Sequence, residues 1–129
     1  MLNPDSVGRT FHGAEEATVT QSQIDAFCAV VSENDRTVAP PTFSIRITLD
    51  QSQEILSNPD IGLDWTRVVH GDQRFEIKRP IVAHDSLKCS STIESYKVSD
   101  GNEFVVIHSD LHSADQLVVS TWSTLVVRA

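Results

Sequence analysis

The sequence predicts an α+β domain in which an antiparallel sheet curls over helices, and three observations carry that expectation. Thr20 and Gln23 form a capping-box pair ahead of Ile24, Phe27, Cys28 and Val31, an apolar stripe at helical spacing. A second helical stretch is expected from Pro41 to about Leu56. From Trp65 onward, apolar and polar residues alternate with the strand period, and Asp100-Gly101 marks a hairpin turn among them. Helices followed by a meander of strands is the α+β order.

In chain order, residues 1 to 19 are expected to be irregular or short-stranded, with Val7 to Phe11 entering a first strand and Ala17 to Val19 extending it. The first helix should end in the polar run Ser32 to Arg36, which suits turns. The next stretch carries competing signals. Phe43, Ile45, Ile47 and Leu49 alternate with Ser44, Arg46 and Thr48 as a strand would. Against this, a proline at the first helical position loses only an amide that had no partner, and Asp50 to Leu56 favours helix. The expectation is one buried helix, apolar on more than one side; it rests partly on the resemblance given below. Ser57 to Asp64 is a loop by its turn residues. Phe75 and Ile77 then alternate with Arg74, Glu76 and Lys78, and Pro80 ends or edges that strand. Leu87, Cys89, Ser91 and Ile93 alternate with Lys88, Ser90, Thr92 and Glu94 in the next strand. Phe104 to Leu111 is the third long strand, Ala114 to Gln116 a turn, and Leu117 to Val127 the last strand.

The chain has 129 residues, 40% apolar and 22% charged, which suits a single domain over 1–129 with one core. A formal charge of −8 makes nucleic acid a poor partner, because neutralising phosphates needs clustered Lys and Arg. It also disfavours anionic membranes. Met1 to Ser6 shows neither a basic n-region nor an apolar run, so a soluble cytoplasmic protein with reduced Cys28 and Cys89 is expected.

Candidate chemistry is sparse. The polar turn Ser32 to Arg36 feeds a helix start at Ala39 to Phe43, where Asn34 or Asp35 would stand beside free amides suited to a developing oxyanion. The alternative is a solvated loop. His108, Asp110 and His112 share one face of a strand, so a metal site is geometrically possible; a polar outer face with Val105, Ile107 and Leu111 turned to the core is the plainer expectation. His70 and Asp72 form a second pair in which His can act as a base, or simply open a strand. No cofactor or metal is expected.

Ala-Pro-Pro-Thr-Phe at 39–43, Val-His-Gly-Asp-Gln-Arg-Phe at 69–75, Arg-Pro-Ile-Val-Ala-His-Asp at 79–85 and Ser-Thr-Leu-Val-Val-Arg at 123–128 occur together in one order. In this combination the chain resembles the MaoC-like hotdog family over about Val7 to Arg128. It resembles specifically the N-terminal dehydratase-like branch, which includes the non-catalytic subunit of mycobacterial (3R)-hydroxyacyl-ACP dehydratase. The resemblance implies a hotdog fold, a bent antiparallel sheet wrapped around a central helix. It also implies a dimer whose sheets join and a fatty acyl thioester (acyl-ACP or acyl-CoA) as ligand.

The chemistry it implies is hydration of a trans-2-enoyl thioester, or the reverse. In that family Asp and His act through one water from an Asp-x-Asn-Pro-x-His motif, and amides at the helix start hold the thioester carbonyl. Here, with Asn34 set on the motif Asn, Ser32 replaces Asp, Asp35 replaces Pro and Thr37 replaces His; sliding the frame brings in a carboxylate, but no histidine lies between Val31 and Ala39. General acid–base catalysis is worth about two to four orders of magnitude, so turnover by this chain alone is not expected.

The resemblance therefore implies a subunit that pairs with a catalytic MaoC-like hotdog and shapes the acyl channel through Pro40, Pro41, Thr42 and Phe43. Two alternatives stay open. One is a self-sufficient homodimeric dehydratase or thioesterase using Asn34, Asp35, His70 or Asp72. The other is a non-enzymatic acyl-CoA or acyl-ACP binding module.

Overall fold

The computed structural model describes residues 1–129. Helix α1 spans Gln21–Val31 and is capped as its sequence demands: the Gln23 amide donates to Thr20 Oγ1 at 3.2 Å and the Thr20 amide to Gln23 Oε1 at 3.1 Å. It buries Ile24 and Cys28 and half-buries Phe27, but Val31 in its last turn is 44% exposed. Ser32 takes a left-handed conformation at φ 60° and closes the helix by donating its amide to the Cys28 carbonyl.

The second helix, α2, spans Ile45–Leu56 and begins four residues later than the prolines suggest. Pro41–Ser44 is a turn, in which the Phe43 amide bonds to the Pro40 carbonyl at 2.9 Å. Three-residue bonds follow from Ile45 to Thr42, Arg46 to Phe43 and Ile47 to Ser44, before the α spacing sets in at Thr48. The α2 helix is also one-sided rather than buried all round. Thr48, Ser52, Ile55 and Leu56 are buried, whereas Arg46, Asp50, Gln53 and Glu54 face solvent. The strand-like alternation at Ile45, Ile47 and Leu49 is real but local; the helical face is set by residues four apart.

Six strands complete the fold: β1 (Thr10–His12), β2 (Ala17–Thr18), β3 (Val68–Ile77), β4 (Ser86–Ser99), β5 (Asn102–Ser113) and β6 (Gln116–Val127). The order across the sheet is β1-β4-β5-β6-β3, all antiparallel, with β2 pairing β4 beside it. This is the α+β hotdog architecture, with α2 lying against the inner face of the sheet. The first strand is shorter than Val7 to Phe11 suggests, and Ala17–Thr18 is a separate strand rather than its extension. Gln116 belongs to β6 rather than to the preceding turn. Asp100 and Gly101 adopt φ 51° and 79°, the positive values that a two-residue hairpin of matching twist requires. No helix is long and apolar enough to cross a membrane.

Val105, Ile107 and Leu111 of β5 are buried as expected, and the alternating Leu87, Cys89, Ser91 and Ile93 of β4 are buried beside them. The interior is not one oily mass. One apolar cluster holds Ile24, Cys28, Phe43, Ile81, Leu87, Leu111 and Val119; the other holds Leu2, Ile55, Leu56, Ile61, Ile107 and Leu125. Between their levels the sheet carries a cross-strand row of Ser91, Ser109 and Thr121, all buried, and the helix carries buried Ser44, Thr48 and Ser52. Ser91 and Ser109 share a hydroxyl hydrogen bond at 2.7 Å, and Ser52 donates to the Thr48 carbonyl at 2.9 Å. The hydroxyls of Ser44 and Thr48 have no partner.

Candidate functional site

The turn after α1 is ordered by its own side chains. Asp35 Oδ1 accepts from both the Thr37 amide at 3.0 Å and the Thr37 hydroxyl at 2.6 Å. These bonds, the hydroxyl first, hold the Asp35 carboxyl below the usual carboxylate range. Glu33 Oε1 accepts the Asp35 amide at 3.0 Å, and Gln21 Nε2 donates to the Arg36 carbonyl at 2.9 Å. Asp35 is thus committed to a local turn, and Asn34 is exposed beside it.

The chain then enters the core. The Ala39 amide donates to the Ile81 carbonyl at 2.7 Å, which lays Val38 to Pro41 along the segment leaving β3. Val38, Ala39, Pro40 and Pro41 face Ile77, Pro80, Ile81 and Val119 across an apolar pocket of about 170 Å³. Ile77 is 41% exposed, because β3 is the edge of the sheet and nothing covers its free side. Phe43 lies on the other side of the helix start. It is buried edge-on against Phe27 at 5.5 Å and 78°, and it lines a separate, more polar groove of about 510 Å³ with Arg46, Asp50 and Glu54. Thr42 is exposed and lines neither space. The amides of Thr42 and Ser44 make no backbone bond, whereas their neighbours in the turn do.

His70 and Asp72 are not brought to this pocket within one chain. They flank a register slip near the start of β3, where His70 Nε2 lies 3.0 Å from the Asp72 carbonyl oxygen. Ile77 is seven residues beyond His70 on the same strand, on the order of 20 Å at strand rise. The outer-face residues do not gather either. His108 Nε2 meets Asp110 Oδ1 at 3.0 Å, and Asp110 also accepts from Ser120 at 2.6 Å. His112 follows a slip in the β5–β6 register. No three His, Cys, Asp or Glu side chains are placed to hold a metal. His108 instead stacks on Trp122 at 4.6 Å, and Arg74 covers that ring at 3.9 Å. This three-strand stack joins residues far apart in sequence, and nothing local signals it.

A family model described as FAS1-like, dehydratase domain region matches residues 31–121. The UPF0336 protein of Streptomyces griseus is 43% identical over 99% of this chain and 96% of its own length. Among solved structures, a chain of the HadBC (3R-hydroxyacyl-ACP dehydratase) complex from Mycobacterium tuberculosis superposes with a TM-score of 0.83 at 23% identity, covering 97% of this chain and 99% of that one. A chain of the ChsH1–ChsH2 complex from the same organism gives 0.63 at 12% identity, over 92% and 82%. At those identities the two structures speak for the fold alone, and the sequence matches speak for descent. The chain belongs to the MaoC-like hotdog proteins, in the group described by the FAS1-like dehydratase region.

Proposed function

We propose that this chain is one hotdog subunit, a single domain over 1–129, of a cytoplasmic (3R)-hydroxyacyl-thioester dehydratase or R-specific enoyl hydratase. In this reading it shapes the acyl channel, and a partner MaoC-like hotdog supplies the Asp and His. One observation carries it: a dehydratase-type scaffold whose post-helix turn has no histidine and whose two carboxylates are engaged within the turn, Glu33 by the Asp35 amide and Asp35 by Thr37. A carboxylate held below its ordinary pKa by two donated hydrogen bonds is a poor proton acceptor.

The apolar pocket under Pro40 and Pro41 supports an acyl chain there. Solved relatives of this fold include two-component complexes, which supports a hotdog partner. The test is reconstitution with a hotdog from the same cells that carries Asp-x-Asn-Pro-x-His. The expected result is a stable complex that hydrates trans-2-enoyl thioesters, whereas this chain alone does not. Failure to form any complex when that partner is supplied would overturn the reading.

A further inference from the structure

Where β1 ends beside the β5–β6 hairpin, the outer face of the sheet holds a cavity of about 460 Å³. His12, Lys88, Ser90, His112, Ala114 and Asp115 line it. The strand register explains why they meet. Ser90 of β4 stands opposite His12 of β1 and opposite Asp110 of β5, and Lys88 stands opposite His112. Opposed residues of an antiparallel pair have Cβ atoms about 5 Å apart, and residues two apart on a strand share a face. The Gly13 amide donates to the Cys89 carbonyl at 2.8 Å, which carries the pairing one step past His12 and holds that residue over the sheet.

The charges around this cavity are unevenly matched. Of the ten lysine and arginine side chains, three sit in ion pairs and three lie over aromatic rings. Lys88 has neither kind of partner. The nearby carboxylates are mostly occupied: Asp110 Oδ1 meets His108 and accepts from Ser120, and Glu16 accepts from Ser86. On the far side of His112, β6 offers Leu117 and no charge. Asp115, in the exposed hairpin, is the one carboxylate in the lining. Protonation of His112 would oppose two cations, an arrangement that weakens a strand pair unless an anion lies between them. No three His, Cys, Asp or Glu side chains are placed for a metal, so the cavity offers hydrogen-bond donors and positive charge rather than metal ligands.

We propose that this cavity binds the phosphate group of a small phosphorylated ligand, with the Lys88 ammonium, the His12 and His112 imidazoles and the Ser90 hydroxyl as donors. A phosphate presents three or four acceptor oxygens to such a set, whereas a carboxylate presents two. The cavity is larger than a phosphate, so an organic body has room beside Ala114. With a formal charge of −8 on the chain, an anion is held here by local donors and is not drawn in by the overall field. The site lies on the opposite face of the sheet from the pocket under Pro40 and Pro41, so both can be filled at once.

The experiment is calorimetry of the full chain with inorganic phosphate, adenosine 5′-monophosphate and acetate. Lys88→Met, His112→Gln, Asp115→Asn and Lys97→Met are measured beside it, each checked for folding by circular dichroism. Phosphate should bind saturably, and acetate should not. Lys88→Met and His112→Gln should each weaken phosphate about tenfold, the worth of one charge-assisted hydrogen bond. Asp115→Asn should tighten it about threefold, because a carboxylate leaves the mouth of the site. Lys97 is exposed on the same strand, on the order of 30 Å away at strand rise, so Lys97→Met should change nothing. Tighter binding of the monophosphate than of phosphate would place an organic body in the remaining volume; equal binding would assign the site to phosphate alone. Sulfate, a dianion throughout, should bind about tenfold more tightly at about pH 6 than at about pH 8, because imidazoles gain charge over that range. Absence of saturable binding by both phosphate probes would overturn the inference. So would a loss in Lys97→Met equal to that in Lys88→Met, or weaker binding by Asp115→Asn. None of these probes carries an acyl thioester, so the outcome is separate from the dehydratase reading.

Discussion

Arg79 grips Asp85 with both arms of its guanidinium, Nη1 donating to Oδ2 at 2.8 Å and Nη2 to Oδ1 at 3.1 Å. Asp85 Oδ2 also accepts the Val82 amide at 2.9 Å, so the link between β3 and β4 is folded around one carboxylate. The Asp85 carbonyl in turn receives the Val19 amide at 2.8 Å, and the Val19 carbonyl receives the His84 amide at 2.7 Å. The Arg-Pro-Ile-Val-Ala-His-Asp motif is therefore a structural clamp that sets Ile81 opposite Ala39.

Replacing Asp85 with Asn should cost about 2 kcal/mol at neutral pH, since it removes a charge-assisted two-point bond on a side chain only 11% exposed. Burial works to raise the Asp85 pKa, but Arg79's hydrogen bonds, the Val82 amide and Arg79's charge bring it below the ordinary value. A lowered native pKa means that the unfolded chain takes up the proton first. The contribution is therefore complete above the unfolded value of about 4 and is lost as pH falls through the native one. Denaturant titrations of wild type and Asp85→Asn should converge in acid and stay apart at pH 7.

Thr48→Val should stabilise the protein. Thr48 is 1% exposed and its hydroxyl has no partner, a group whose desolvation costs about 1 kcal/mol or more. Valine keeps the shape and has a similar helix propensity. A higher melting temperature is the expected outcome; a lower one would mean that the hydroxyl is satisfied in solution.

Both thiols should resist alkylation in the folded state. Cys28 and Cys89 are free and buried, and burial pushes the Cys89 thiol up to about 11. At pH 8 that leaves about one thiolate in a thousand, and the thiolate is the reactive form. Iodoacetamide labelling followed by mass spectrometry should track unfolding rather than reagent concentration.

Single alanine substitutions of Asn34, Asp35, His70 and Asp72 should leave the turnover of the reconstituted complex within about threefold of wild type. A general acid or base would cost two to four orders of magnitude. A loss of that size at any of the four would favour the self-sufficient homodimer.

What was legible in the sequence was local. The Thr20–Gln23 box, the Asp100-Gly101 turn and the alternation in β4 and β5 each depend on residues within a few positions of one another, and each appears as expected. The start of α2 was misplaced because Pro41–Ser44 prefers bonds to the third residue back, which a proline pair does not announce. The one-sidedness of α2 depends on where the sheet ends, and the exposure of Ile77 on the lack of a neighbouring strand. In the candidate site, the missing histidine could be read directly. The second wall of the pocket could not, because Ile77, Ile81 and Val119 reach Pro40 and Pro41 only through the clamp and the sheet register.

The belt of hydroxyls across the interior divides the apolar packing into two compartments. In a continuous close-packed core, a change of volume at one end is felt at the other. Here Ser91, Ser109 and Thr121 stand between the Phe43–Ile81 end and the Ile55–Leu125 end, which belong to separate apolar clusters. Substitutions at the end that frames the pocket are therefore expected to add, without coupling, to substitutions at the opposite end around Leu2 and Leu56.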